Sequence, residues 1–198
     1  RTATNGMSLR ARDGENANSA LLVGVPATRV APLLRDLGHP PDPGSPLSGI
    51  ALQRLLEEAA FRAGGGDFRA PAQCVGDFLE SRPSSGFGSV RPTYRPGTTP
   101  GDLARILPDW ICDALREGIR DMDRRLRGFA HPEAVLTGTE TRSSSPVRLL
   151  RGPDGCSPGI GGLYPCGEGA GYAGGILSAA VDGLRCAEIL AARRAACP

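Results

Sequence analysis

The sequence has no lysine: all 23 basic residues are arginine. A Walker phosphate loop needs its lysine, so that loop is excluded. Schiff-base chemistry on this chain, pyridoxal phosphate attachment included, goes with it. Aromatic residues make up 5%, too few for a base-stacking platform. No sign of charge dominates either. Twenty-three basic and 21 acidic residues leave a formal net charge of +2, so neither nucleic acid nor an anionic membrane is expected as a partner.

Other absences narrow the chemistry. His39 and His131 each precede a proline and lack a second histidine at ligand spacing, so no metal site is expected. The six cysteines, at 74, 112, 156, 166, 186 and 197, include no CxxC pair. Reduced thiols in the cytoplasm or an organelle stroma are the expectation. No G-x-S-x-G elbow supports serine-based hydrolysis. No apolar run is long enough to span a bilayer; the most apolar stretch, Ala170 to Val181, contains three glycines. Arg1 is followed by polar residues, so no signal peptide is read at the start. The first residue is Arg rather than Met, and the chain is expected to belong to a longer protein.

What is present is turn-forming. Glycine (28) and proline (18) together reach roughly twice their usual share, which predicts many turns and few long elements. With 198 residues the chain amounts to one large domain or one and a half small ones, enough to bury a core without staples.

Local patterns predict a mixed α and β chain. Residues 5–25 read as a strand pair, with turn dipeptides Asn5-Gly6 and Asp13-Gly14 and an apolar run Ser19 to Val25. Residues 26–46 hold six prolines and read as a loop or variable insertion. Ser45 and Pro46 open a helix carried by Leu47, Ala51, Leu55 and Ala59, which Gly64-Gly65-Gly66 stops. A strand is expected near Ala72–Leu79, and a short helix capped at Thr99 and ending at Leu107. Ile111, Leu115, Ile119, Met122 and Leu126 mark a helix after Pro108. Two strands are expected within 134–151, flanking Thr141–Pro146, then a strand at Leu163–Cys166 and a helix from Gly174 to about Arg194.

One stretch carries chemistry. Gly161 to Ile176 reads GGLYPCGEGAGYAGGI, a predicted strand, glycine turn and helix start in succession. Gly169, Gly171 and Gly174 satisfy G-x-G-x-x-G. Glycines let backbone N–H groups approach an anion, and a helix N-terminus adds about half a positive charge. A phosphate, pyrophosphate or flavin edge suits such a turn. A ligand-free glycine turn is the other reading. The simplest dinucleotide fingerprint fails on context, because it opens a βαβ unit and expects an acidic residue about 20 positions on, after a second strand. Glu188 lies at that distance, but on the helix itself.

Several segments together resemble the uncharacterised FAD-dependent dehydrogenases, a FAD-dependent oxidoreductase family. They are Asn5–Ser8 (NGMS), Ala11–Leu22 (ARDGENANSALL), Pro71–Leu79 (PAQCVGDFL), Gly88–Gly97 (GSVRPTYRPG), Gly138–Arg148 (GTETRSSSPVR) and Gly162–Gly183 (GLYPCGEGAGYAGGILSAAVDG). Ser143 stands where the pattern has Thr, and the Pro-rich loop at 26–46 is peculiar to this chain.

The resemblance implies a fold: the inserted second domain of a Rossmann-type FAD flavoprotein, plus the last strand and helix of the FAD-binding domain. Residues 1–158 would be the inserted, substrate-side domain and 159–198 the returning strand, glycine turn and helix. The adenine end of the cofactor would then be held by an N-terminal Rossmann segment outside this chain, and the chain alone would be inactive. Gly167, Glu168, Gly169, Gly174, Gly175 and Ile176 would line FAD. Glu140, Thr141, Arg142, Ser144, Ser145 and Arg148 would line the other side of the cavity. NAD(P)H is the candidate electron donor, and the small-molecule substrate is not named by any motif.

Individual residues keep two readings. Arg142 either stabilises a reduced flavin or an acidic substrate group, or simply pairs with Glu140. Ser144 and Ser145 line the cavity or satisfy a turn before Pro146. Glu168 accepts a ribityl hydroxyl or caps the last helix. Tyr172 stacks on flavin or packs under the turn. Cys166 is a redox thiol or, more in keeping with its missing CxxC partner, a strand-end residue. The competing whole-chain readings are a non-enzymatic module whose glycine turn binds an anion or partner, and a truncated remnant exposing Leu163, Ile176 and Val181.

Overall fold

The structure, a computed structural model, describes residues 4, 10–42 and 44–195. The turn expected at Asn5-Gly6, the whole NGMS segment and Cys197 lie outside them. The elements run α1 (Ala27–Asp36), α2 (Ser48–Gly64), β1 (Ala70–Cys74), α3 (Val75–Leu79), β2 (Thr98–Pro100), a short 3-10 turn (Leu103–Arg105), α4 (Asp109–Arg125), β3 (Val135–Thr137) and α5 (Ile176–Ala195). They divide into two compact units, one within Arg1–Arg29 and Leu52–Thr141, the other within Val30–Ala51 and Arg142–Pro198.

The first unit is built on a small sheet in the order β2-β1-β3. β1 pairs with β2 in parallel, Pro71 opposite Thr99, and with β3 antiparallel, Gln73 opposite Leu136. All five β1 residues are buried. The expected strand at Ala72–Leu79 is therefore half strand and half helix, changing at Val75. Ser84 sets that change: its hydroxyl accepts from the Cys74 N–H at 2.9 Å and donates to Asp77. Buried Gln73 is satisfied twice, donating to the Arg82 carbonyl at 2.7 Å and accepting from the Leu103 N–H at 2.9 Å. Ala60, Val75, Phe78, Leu103, Ile106, Cys112 and Ile119 form the core, so α2, α3, the 3-10 turn and α4 all contribute.

The helix ends follow the sequence in part. α2 stops at Gly64, as the glycine run predicts. A Cβ on Gly64 would sit 1.9 Å from the Arg69 carbonyl oxygen, so the chain can turn into β1 only with glycine there. The short helix is capped by Asp102, whose carboxylate accepts from the Ala104 N–H at 3.0 Å, and not by Thr99, which belongs to β2.

Four further expectations are corrected. Residues 26–46 are not all loop, because α1 occupies Ala27–Asp36 with Pro32 inside it. The missing Pro32 N–H costs a helical bond, and burial of Leu33 and Leu34 offsets it. Ser19–Val25 forms no ladder. Leu163–Cys166 and the segment after Pro146 form no strands either, and among the described residues the second unit has none at all. An isolated extended segment has no neighbour to bond with. α5 appears where the pattern placed it.

Candidate functional site

The glycine turn of the second unit is folded by its own backbone. Gly167 and Gly171 have φ of 72° and 81°, which favours glycine at both. The Gly171 N–H donates to the Glu168 carbonyl at 2.9 Å, and the Tyr172 N–H to the Gly167 carbonyl at 3.1 Å. A Cβ on Gly171 would meet the Val147 carbonyl oxygen at 2.5 Å, so residues 147 and 148 lie directly against the turn. The Leu149 N–H donates to the Ala170 carbonyl at 3.1 Å, and Arg148 Nε to the Gly171 carbonyl at 3.0 Å. The end of the polar segment and the glycine turn, far apart in sequence, are thus joined.

Tyr172 is the hinge of that junction. Its ring lies beneath two guanidinium groups, with Arg151 3.8 Å and Arg148 5.0 Å from the centroid. Its hydroxyl oxygen accepts from the Arg151 N–H at 3.1 Å. The ring is half-buried, and these arginine contacts are compatible with both of its expected roles.

Arg151 organises the rest. It makes a forked ion pair with Asp182 of α5, Nη2 to Oδ1 at 2.6 Å and Nη1 to Oδ2 at 2.9 Å. Nη1 also donates to the Pro165 carbonyl at 2.9 Å and lies 3.0 Å from Cys186 Sγ. The Asp182 Oδ2 accepts from the Gly167 N–H at 2.8 Å. The Arg151 guanidinium and the Gly167 N–H hold the Asp182 carboxyl down at about 2. The same pairing pushes Arg151 up, and burial pushes the Cys186 thiol up.

The sequence-expected residues distribute unevenly. Glu140 and Thr141 belong to the first unit. The Thr141 hydroxyl donates to buried Glu57 at 2.9 Å, and its carbonyl accepts from Gln53 at 2.8 Å, so Thr141 ties its segment to α2. Arg142, Ser144 and Ser145 belong to the second unit. Ser144 is exposed, while the Ser145 hydroxyl donates to the Val147 carbonyl at 2.8 Å and closes a turn. Gly167 spends its N–H on Asp182, and Glu168 spends its carbonyl on the turn.

Gly169, Gly174 and Ile176 are exposed instead, and Gly175 is half-buried. A Cβ built on Gly169 or Gly174 meets nothing within 4 Å. Ile176 is 90% and Leu177 82% exposed. First-turn N–H groups of an α-helix have no intrahelical acceptor. The turn thus presents open backbone, helix-end donors and an apolar edge side by side. Such donors suit an anionic group, and the apolar edge beside them suits a flat apolar one.

Sequence reasoning missed Arg151, Asp182 and Cys186. Asp182 and Cys186 are four apart on one helix, so they share a face, but nothing local in the sequence points Arg151 toward them. Among the described residues no group of three His, Cys, Asp or Glu side chains is arranged to hold a metal. No helix among them is long and apolar enough to cross a membrane.

A family model described as FAD-dependent protein, C-terminal domain-like, matches residues 1–143. That match ends before the glycine turn. The chain is also similar to an uncharacterised protein of Clostridium beijerinckii, at 48% identity over 190 residues, covering 95% of this chain and 33% of that protein. The chain therefore spans about a third of the length of this curated relative.

Proposed function

The chain belongs to the FAD-dependent protein, C-terminal domain-like family, and from that membership we propose that it is the C-terminal part of a FAD-dependent oxidoreductase. The open side of the glycine turn would receive the cofactor. The observation that carries this reading is the unobstructed backbone at Gly169 and Gly174, directly ahead of the 20-residue helix α5.

When bound, the flavin supplies two-electron chemistry as hydride acceptor or donor. The chain's own residues position and shield. Gly169, Gly174, Gly175 and Ile176 would hold the anionic portion through backbone N–H groups and the positive end of α5. Arg151 and Asp182 lock the turn, so these donors need not reorganise on binding. Ile176 and Leu177 offer apolar surface that excludes water once covered. Arg148 is fixed on Gly171 and Tyr172, and its charge lies beside the turn. Arg142 is the candidate cation for an acidic group on the substrate. The remaining part of a longer protein would hold the adenine end, as the family resemblance implies.

The test is FAD binding to the chain supplemented with the rest of the C. beijerinckii relative, followed by the visible flavin spectrum. Stoichiometric FAD in the mixture is expected, with little retained by the 198-residue chain alone. Gly169→Val and Gly174→Val, which fill the open side, should weaken binding at least tenfold. Full FAD affinity in both variants would overturn the assigned site. A mixture that binds no FAD would favour a non-enzymatic module.

A further inference from the structure

The flavin reading leaves one cluster unused: two thiols beside the Arg151–Asp182 pair. Cys166 lacks a CxxC partner in the sequence, but the fold supplies a partner on α5. Both chain neighbours of Cys166 are pinned to the ion pair, the Pro165 carbonyl to Arg151 at 2.9 Å and the Gly167 N–H to Asp182 at 2.8 Å. Arg151 Nη1 also lies 3.0 Å from Cys186 Sγ. The Pro165 carbonyl and Cys186 Sγ thus share one guanidinium nitrogen, which brings the backbone at Cys166 beside the Cys186 thiol. Cys166 is exposed, whereas Cys186 is buried at 5%. The other described thiols are placed differently: Cys74 and Cys112 are buried in the first unit, and Cys156 Sγ points to the Ile160 carbonyl at 3.6 Å.

We propose that Cys166 and Cys186 form a redox-active dithiol site that exchanges with low-molecular-weight disulfides. The roles follow from access. The exposed Cys166, as thiolate, attacks one sulfur of the small disulfide, and the first small thiolate leaves. Cys186 then loses its proton to solvent and attacks the Cys166 sulfur. The second small thiolate leaves and an internal disulfide remains. Both departing thiolates take up protons. In sum, two protein thiols are oxidised and one small disulfide is reduced to two thiols. The Arg151 guanidinium beside Cys186 favours its thiolate in the second step, against the burial that otherwise disfavours it. The assignment does not depend on the flavin reading.

The experiment treats the reduced 198-residue chain with oxidised glutathione at mild alkaline pH, digests it with trypsin and maps the products by mass spectrometry. Trypsin places Cys156 and Cys166 on peptide 152–185 and Cys186 on peptide 186–193. The expected product is these two peptides joined with loss of two hydrogens, and fragmentation places the link at Cys166. Cys186→Ser should stop at a glutathione adduct on Cys166. Cys166→Ser should leave Cys186 unmodified over the same time, and Cys156→Ser should leave the link intact. The wild-type result stands even where a variant folds poorly. A wild-type chain that stops at the adduct, links through Cys156 or does not react overturns the proposal.

Discussion

Arg151 and Asp182 hold each other through two parallel hydrogen bonds of 2.6 and 2.9 Å, and that pair closes the second unit. Arg151 lies three residues beyond the polar segment and Asp182 lies on α5. The Gly167 N–H on the same carboxylate fixes the glycine turn between them. Both side chains are mostly buried, at 18% and 13% exposure, so water competes poorly for either. Breaking such a pair leaves an uncompensated charge, whereas removing both partners does not.

Asp182→Asn is expected to destabilise the chain by about 2 kcal/mol, because Arg151 then loses its charged acceptor. The double variant Arg151→Met with Asp182→Leu should cost less than the sum of the two single changes. Urea denaturation of the parent, Asp182→Asn, Arg151→Met, Asp182→Leu and the double variant checks this. Strict additivity would show that the pair does not act as a unit.

The pair also sets an acid response. Asp182 titrates at about 2 in the fold against a usual 3.8, so between those values the unfolded chain binds the extra proton. The stability it contributes is complete above about pH 5 and is lost as pH falls toward about 2. The stability gap between the parent chain and Asp182→Asn should therefore be constant from neutrality to about pH 5 and shrink below it. A gap that stays constant down to pH 2.5 would mean that the carboxylate is not held by Arg151.

Two glycines of the same turn should respond in opposite ways. Gly171→Ala puts a methyl at a φ of 81° and 2.5 Å from a backbone oxygen, and about 2 kcal/mol of stability should be lost. Gly169→Ala meets open space and should change stability by less than about 0.5 kcal/mol. Thermal melts of the two variants separate these outcomes. Equal losses would contradict the packing of residues 147 and 148 on the turn.

These contrasts show which parts of the protein the sequence revealed. α2, α4 and α5 carry long apolar periodicities between clear stops, and the structure has all three. Strands were harder to place, because each is short and defined by its neighbours. The strand expected near Ala72–Leu79 begins earlier, at Ala70, and takes in Pro71, whose carbonyl accepts from the Gly138 N–H at 3.0 Å. Ser19–Val25 reads as a strand and has no partner. α1 was hidden by its prolines, since burial of Leu34 is a tertiary effect. At the site, glycine spacing marked the turn and the helix after it. It did not separate the inward Gly167 and Gly171 from the open Gly169 and Gly174. It also gave no sign of Arg151, whose partners lie 14, 31 and 35 residues away.

The exposed start of α5 gives the last prediction. Ile176 and Leu177 are 90% and 82% exposed, with Leu184 at 65% and Val181 at 46% on the same helix. Surface this apolar is costly to leave in water and is usually covered by a partner. Ile176→Ser with Leu177→Ser removes no packed contact, so the melting temperature of the chain alone should stay within about 2 °C of the parent. Its tendency to self-associate, read by light scattering against concentration, should fall. On the flavin reading the same double change should weaken capture of the remaining protein and lower the FAD retained by the mixture. Loss of FAD with unchanged melting would separate a contact role for this edge from a role in folding. A large drop in melting temperature would instead place these side chains inside the chain's own packing.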